Sequence, residues 1–377
     1  MTFTFIHTAD WQIGKAFAGF PADVAAALRE ARISAIDRIA EAAVQAGACH
    51  VLVAGDIFDA ETLAPKSVRQ AVARMARHEA MTWHLMPGNH DAHRAGGLWE
   101  RLVRDGLPAH LKPVLTPQPF EIAKETWLMP APLTGRATGS DPTLYMDSVP
   151  TPPGAIRIGL AHGSVRGFGS DQSAAVGLSL NRAVSAGLDY LALGDWHGCQ
   201  EVAPKTWYSG TPEPERYVDN DPGYVLAVRL TGAGVPPGIN RLRTAKFNWR
   251  SVAVDVAYSD MSAALSAQVA TPGLIEHDTL LDLTLTGRVS PEKRQSILNE
   301  LRGIEASYRH LATDLTDLRL SSGSGGLDQF DASGDLKLVA ERLLARAADP
   351  AAPDAAIAAE ALGLLLDLAA ETRGETA

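Results

Sequence analysis

Five short apolar runs, each stopped by glycine or a polar cluster, punctuate the first two hundred positions. They are FIHTADWQ (5–12), VLVAGDIFD (51–59), WHLMPGNHD (83–91), IGLAHG (158–163) and YLALGDWHG (190–198). Runs of this length rich in leucine and β-branched residues read as buried strands. Between them the hydrophobic period lengthens. Residues 22–46, after Pro21 and before Gly47, put Val24, Leu28, Ile36, Ile39 and Ala43 on one helical face, and Pro65 opens a second helix with Val68, Val72 and Met75 inward. Strands alternating with helices predict an α/β sheet. After Pro130 the pattern is richer in strands and punctuated by Pro and Gly, as a second sheet requires.

A further unit is expected from about residue 250. VAVDVA reads as a strand, Ser259 as the cap of a helix, and DTLLDLTLTG as a strand with Leu281, Leu283 and Leu285 on one face. Ser290 then caps a helix with Pro291 at its first position, carrying Ile297, Leu301 and Ile304, and LATDLTDLRL closes the pattern as a strand. SSGSGG at 321–326 has linker composition. Two Ala/Leu-rich helices follow, with Leu336, Val339 and Leu343 on one and Ile357, Leu362, Leu365 and Leu366 on the other. The layout predicts four parts: 1–248, 249–320, the linker 321–326, and a helical region 327–377.

Composition narrows the class. At 377 residues and 46% apolar content, with no run long enough to span a bilayer, the chain is expected to be soluble, without a membrane partner. MTFTFIHTAD reads as the first strand rather than a leader, and Cys49 and Cys199 make no disulfide framework, so a cytoplasmic location is expected. A net charge of −10 works against gripping DNA over a broad surface. One local exception is RLRTAKFNWR at 241–250, where Arg241, Arg243, Lys246 and Arg250 interleave with Phe247 and Trp249; a strand with one solvated basic face explains it equally well.

The five strand ends carry the chemistry. Each cluster falls just past a strand's carboxyl end, where open α/β sheets build their sites. Asp10, Asp56, Asn89, His162, Asp195 and His197 offer oxygen and nitrogen donors and no thiolate. Such a set suits manganese or magnesium rather than structural zinc. A carboxylate such as Asp56 can bridge two ions, and a di-metal pair clamps a phosphoryl group and activates water. Phosphoester hydrolysis is the reaction class this points to.

The order D-x-(H), GDxxD, GNHD, (A/G)H and G-(H)-x-H, with these gaps, resembles the calcineurin-like metallophosphoesterases. HTADWQIGK near the start and YSGTPEPER at 208–216 resemble, within them, the DNA repair exonucleases of the SbcD and YhaO type. The resemblance covers residues 5 to about 225 and implies a four-layer α/β/β/α sandwich with a small α/β cap and a helical C-terminal tail. It implies two divalent ions: one held by Asp10, residue 12, Asp56 and His197, the other by Asp56, Asn89, His162 and residue 195. His90 is implied as the catalytic histidine, with Asp91 orienting its ring.

Two positions depart from the pattern, since Gln12 and Asp195 stand where the family has histidine. Both keep an oxygen donor, which reads as retuning toward manganese or magnesium rather than decay. The resemblance further implies DNA as substrate, cleaved by a metal-bridging hydroxide, and an SbcC-like coiled-coil ATPase partner engaging the tail. Dimerisation, as in the relatives, is an open expectation. The loop 164–180 is a substrate-facing candidate through Arg166 and Phe168, though an ordinary surface loop fits it as well. Two other readings stand beside the nuclease: a phosphatase or phosphodiesterase on small esters, and a weakly catalytic DNA-end-binding subunit of an ATPase complex.

Overall fold

The computed structural model describes residues 2–167, 176–269, 276–320, 334–349 and 351–374. They fall into two compact units, 1–247 and 248–377. The expected linker 321–326 and Phe168 lie outside the described residues.

The first unit opens with strand β1 (Phe3–Thr8), helix α1 (Ala22–Ala46), β2 (His50–Ala54), α2 (Pro65–Ala76), β3 (Thr82–Met86), α3 (Leu98–Asp105) and β4 (Leu111–Pro113). The four strands are parallel neighbours in that order. α1 has the bounds its periodicity predicts. All five of its expected apolar residues are buried, and Gly47 ends it in the left-handed conformation (φ 67°) that closes a helix at little steric cost.

A second sheet is built from β5 (Phe120–Ala123), β6 (Thr126–Ala131), β7 (Ile156–His162), β10 (Tyr190–Gly194), β11 (Gln200–Ala203) and β12 (Thr206–Tyr208), in the order β11-β12-β10-β7-β6-β5. The short pair β8 (Ser164–Val165) and β9 (Gly177–Leu178) and the one-turn helix α4 (Arg182–Ser185) lie between β7 and β10 in the chain. β13 (Tyr224–Leu230) then returns to the first sheet, antiparallel to β1, and β14 (Gly238–Arg243) forms that sheet's edge.

Alternation along each strand divides the core into layers. Ile6, Val51, Val53, Trp83 and Leu85 face α1 and α2 and pack with Ile36, Ile39, Val68 and Met75. Their neighbours Phe5, Leu52, Ala54 and Met86 face the other way and meet Leu128, Ile158, Leu160 and Tyr190 of the second sheet. Met129, Ala161, Leu191 and Leu193 face outward under Leu178, Ala183 and Leu188. The result is the expected α/β/β/α sandwich, with its second outer layer reduced to α4, a 3-10 turn at Leu144–Asp147 and loops. Because the parallel strands point the same way, their carboxyl ends share one rim.

The second unit has a parallel core strand, β16 (Thr279–Val289), preceded by β15 (Asn248–Asp255) and α5 (Met261–Val269) and followed by α6 (Pro291–Ser307), β17 (His310–Asp314) and β18 (Leu318–Leu320). Leu281, Leu283 and Leu285 are fully buried on one face. Two expectations are corrected here. Helix α5 is capped by Asp260, whose carboxylate accepts from the Ala263 N–H at 2.9 Å, rather than by Ser259. LATDLTDLRL is two strands: β17 pairs with 280–284 of β16 and β18 with 287–289, after the Asp314 carboxylate accepts from the Thr316 N–H and turns the chain. Ser290 does cap α6, accepting from Lys293 N–H at 3.3 Å. Helices α7 (Asp335–Ala347) and α8 (Ala355–Gly374) pack on each other and on β18 through Leu320, Ala340, Leu362 and Leu366. Leu336, Val339 and Ile357 face outward. No described helix is long and apolar enough to cross a membrane.

Candidate metal centre

The strand ends of both sheets bring Asp10, Asp56, His162, Asp195 and His197 together. Ligand atoms of Asp10, Asp56 and His162 all lie within 4.8 Å of one another, and all three residues are buried. Asp195 joins from β10: its N–H donates to both Asp10 carboxylate oxygens at 3.1 Å, and its Oδ1 lies 3.9 Å from His162 Nε2. His197 Nε2 is 3.9 Å from Asp10 Oδ1.

Backbone geometry shows what the cluster costs to build. Asp10 (φ 55°), Gln12 (φ 48°), Asp56 (φ 54°) and Asp195 (φ 106°) all take positive φ, a region that side-chain-bearing residues seldom occupy. Such strain persists where the surroundings impose it and concentrates at functional sites. The flanking glycines explain themselves by contact. A Cβ on Gly55 would sit 2.3 Å from His162 Nδ1, one on Gly88 2.2 Å from Asp56 Oδ1, and one on Gly194 2.1 Å from the Ala54 carbonyl. The glycines of GD, GN and GD are therefore the space into which the ligands close.

Side-chain partners orient the donors. The His162 Nδ1–H donates to the Ala54 carbonyl at 2.8 Å, which turns Nε2 toward Asp56 Oδ1, 3.5 Å away. Asp56 Oδ1 accepts from His90 N–H and its Oδ2 from the Gln12 amide, both at 2.9 Å. Asp195 Oδ2 accepts from the Ser164 hydroxyl. Gln12 Oε1, Asn89 Oδ1 and His162 Nε2 remain buried with no hydrogen-bond partner. Buried polar atoms are rarely left so. Of these, the Gln12 and His162 atoms belong to residues that meet Asp56, and unpartnered oxygen and nitrogen acceptors beside buried carboxylates fit a divalent cation.

The field of the cluster points the same way. Burial pushes the Asp10 carboxyl up to about 7, against the pull of His197 and His162. Burial opposes charge on the His162 ring, yet the carboxylates of Asp56, Asp10 and Asp195 draw it up to about 9. Such a pocket attracts positive charge.

His90 lies at the mouth, its side chain about half exposed and its Nε2 4.0 Å from Asp56 Oδ2. Its ring is oriented by the Asp59 carbonyl, which accepts from Nδ1–H at 2.9 Å. The expectation that Asp91 orients it is corrected: Asp91 is fully buried, and its carboxylate accepts from the Gly88 and Phe58 N–H groups at 2.7 and 3.3 Å, fixing the loop rather than the ring. Burial and the Asp56 charge push the Asp91 carboxyl up to about 7. Trp11 packs edge-on against Trp83 in the core, its N–H donating to Thr8 Oγ1.

Of the expected nucleic-acid contacts, Arg241 and Arg243 share the ring of Tyr224. Arg166 is exposed just past β8. Arg241 pairs with Asp221 and lies over the Tyr224 ring at 4.4 Å, with Arg243 at 6.0 Å from the same ring. Lys246 lies 5.2 Å from the Phe247 ring. Arg250 belongs to the second unit, while Phe247 is fully buried in the first and presents no face to a base. A residue that motif reading missed is Glu215, whose Oε1 lies 2.7 Å from His197 Nδ1. Its only signal in the sequence is its place within YSGTPEPER.

Residues 3–174 match the family model of the calcineurin-like phosphoesterases. The chain is also 26% identical over 283 residues to YhaO of Bacillus subtilis strain 168, described as an uncharacterized metallophosphoesterase. That match spans 71% of this chain and 66% of YhaO, just under two thirds of the relative's length. The sandwich and the converging ligands of the first unit are consistent with that similarity to the calcineurin-like phosphoesterases, a family that works through divalent metals.

Proposed function

We propose that this protein is a metal-dependent DNA nuclease that hydrolyses phosphodiesters, working in DNA repair or end processing with an SbcC-like coiled-coil ATPase. The observation that carries the hydrolase part is the buried cluster of Asp10, Asp56 and His162, whose ligand atoms lie within 4.8 Å of one another. Asp10, Gln12, Asp56 and His197 would hold one ion, and Asp56, Asn89, His162 and Asp195 the second. Manganese fits the oxygen-rich set best, with magnesium next. Bound there, the ions supply Lewis acidity at the phosphoryl group and acidify the attacking water.

The chain's own groups do the rest. The Asp59 carbonyl holds His90 Nδ1–H, so Nε2 faces the mouth, free to hold a proton for the leaving oxygen. Asp91 keeps the Gly88 to His90 loop closed around Asp56. DNA is favoured over a small ester by the second unit, an α/β module with its own core that a small substrate does not require. The ATPase partner is supported by α7 and α8, whose Leu336, Leu338, Leu364 and Leu368 are about half exposed. Loss of residues 327–377 should abolish co-purification with such an ATPase; unchanged co-purification would remove the tail from the proposal.

A small-ester phosphodiesterase is favoured by a different observation: the net charge is −10 and Arg241 is already neutralised by Asp221. Labelled single- and double-stranded DNA and bis-p-nitrophenyl phosphate, assayed with manganese, magnesium or neither, separate the two. Manganese-dependent DNA cleavage lost in His90→Ala is the expected result. Cleavage of the small diester alone supports the second reading. No turnover, with well under two ions bound per chain, supports a weakly catalytic end-binding subunit.

A further inference from the structure

His197 is only as good a ligand as its tautomer allows. An imidazole ligates through a lone pair, so one ring nitrogen must carry the proton and the other must not. Nε2 is the atom on the Asp10 side, 3.9 Å from its carboxylate, and Nδ1 points away to Glu215 Oε1 at 2.7 Å. A carboxylate only accepts, so the tautomer that lets these two atoms bond has its hydrogen on Nδ1 and leaves the Nε2 lone pair toward the cluster.

Glu215 is itself held in place. Its Oε2 meets Lys15 Nζ at 2.8 Å and an Arg32 nitrogen at 3.1 Å. The Arg32 side chain is 1% exposed and also donates to the Trp11 carbonyl at 2.7 Å and the Glu213 carbonyl at 3.2 Å. The buried guanidinium thus ties the first ligand loop, between Asp10 and Gln12, to the loop that carries Glu215.

We infer that Glu215 is a positioning residue of the metal centre: anchored by Arg32 and Lys15, it imposes the Nδ1–H tautomer on His197 and so turns Nε2 into a ligand. This rests on the metallophosphoesterase reading of the site. Metal-bound histidines are commonly oriented by a carboxylate on the far nitrogen, and losing it weakens binding about 10- to 100-fold.

The geometry makes one isosteric variant decisive. In Glu215→Gln the two cations demand the amide oxygen, which turns the amide N–H₂ toward His197 Nδ1. That nitrogen must then accept, the proton moves to Nε2, and the lone pair is lost from the cluster. Manganese calorimetry on metal-stripped full-length chain, with thermal melts, should show two sites in wild type. In a folded Glu215→Gln protein, one should be weakened about 10- to 100-fold and the other unchanged. Nitrogen-15 spectra of neutral histidines, with His197 assigned by difference against His197→Gln, should show Nδ1–H in wild type and Nε2–H in the variant. An unchanged manganese isotherm in the variant overturns the inference, as does Nε2–H in the wild type, a result that needs no variant to fold. Absence of manganese binding in wild type overturns the metal-centre reading itself.

Discussion

Gln12 is where a single side chain most affects what the site can hold. Its amide does two things: Nε2 donates to Asp56 Oδ2 at 2.9 Å, and Oε1 is left buried and unpartnered, available as a hard donor. Gln12→His replaces that oxygen by an imidazole nitrogen and removes the hydrogen bond to Asp56. Metal binding should persist, with the zinc-to-manganese affinity ratio rising by about tenfold or more, a difference of ~1.4 kcal/mol. Competition calorimetry reads it, and an unchanged ratio would show that Gln12 is not a ligand. Asp91 makes the complementary case. Asp91→Ala leaves the Gly88 and Phe58 N–H groups buried without acceptors, which costs about 1 to 3 kcal/mol each. Urea unfolding should show a loss of about 2 to 6 kcal/mol. Full stability with lower activity would instead return Asp91 to the role of ring orienter.

At the scale of elements, the sequence was most legible where period and chemistry coincide. α1 needed only its apolar face, Pro21 and Gly47, and the strand ends that carry Asp10, Asp56 and His162 needed only runs stopped by Asp and His. The illegible parts depend on partners far away in the chain. Glu215 meets His197 across a loop, and Phe247 looked like a stacking platform until the fold buried it. LATDLTDLRL alternates like one strand, yet a carboxylate-capped turn at Asp314 splits it. The inter-sheet layer likewise hides a property no local pattern announces. His84 on β3 packs between His50 and Phe120, and burial, with His50 and Lys112, lowers its pKa from 6.5 to about 3. His7 on β1, buried against Tyr190 and the Leu193 carbonyl, is lowered to about 3 as well. Both rings stay neutral in the fold while their unfolded counterparts take up protons below 6.5. Stability is therefore full above that pH and falls as pH drops toward the folded values, at about 1.4 kcal/mol per pH unit for each ring. His84→Phe should remove one ring's share of that slope in urea unfolding below pH 6.5. An identical slope in the variant would mean that His84 protonates within the fold.

The whole molecule joins two units with separate cores among the described residues. Three apolar layers lie within 1–247, and those around Leu281, Leu283 and Leu285 and around Leu320 lie within 248–377. The candidate ligands all belong to the first, so a cation that binds its folded form stabilises that unit by mass action. Free manganese at a hundred times its dissociation constant contributes about 2.7 kcal/mol per site. For a unit of this size, each such contribution raises the melting temperature by about 5 to 10 °C. Calorimetric scans in manganese and in chelator should move the first unit's transition and leave the second's in place. Asp56→Ala, which removes the carboxylate central to both proposed sites, should abolish the shift. If the second unit's transition moves equally, the two cores unfold as one and its role as an independent module fails. If neither moves, the acidic rim of the sandwich holds no metal under those conditions, and the hydrolase reading loses the observation on which it rests.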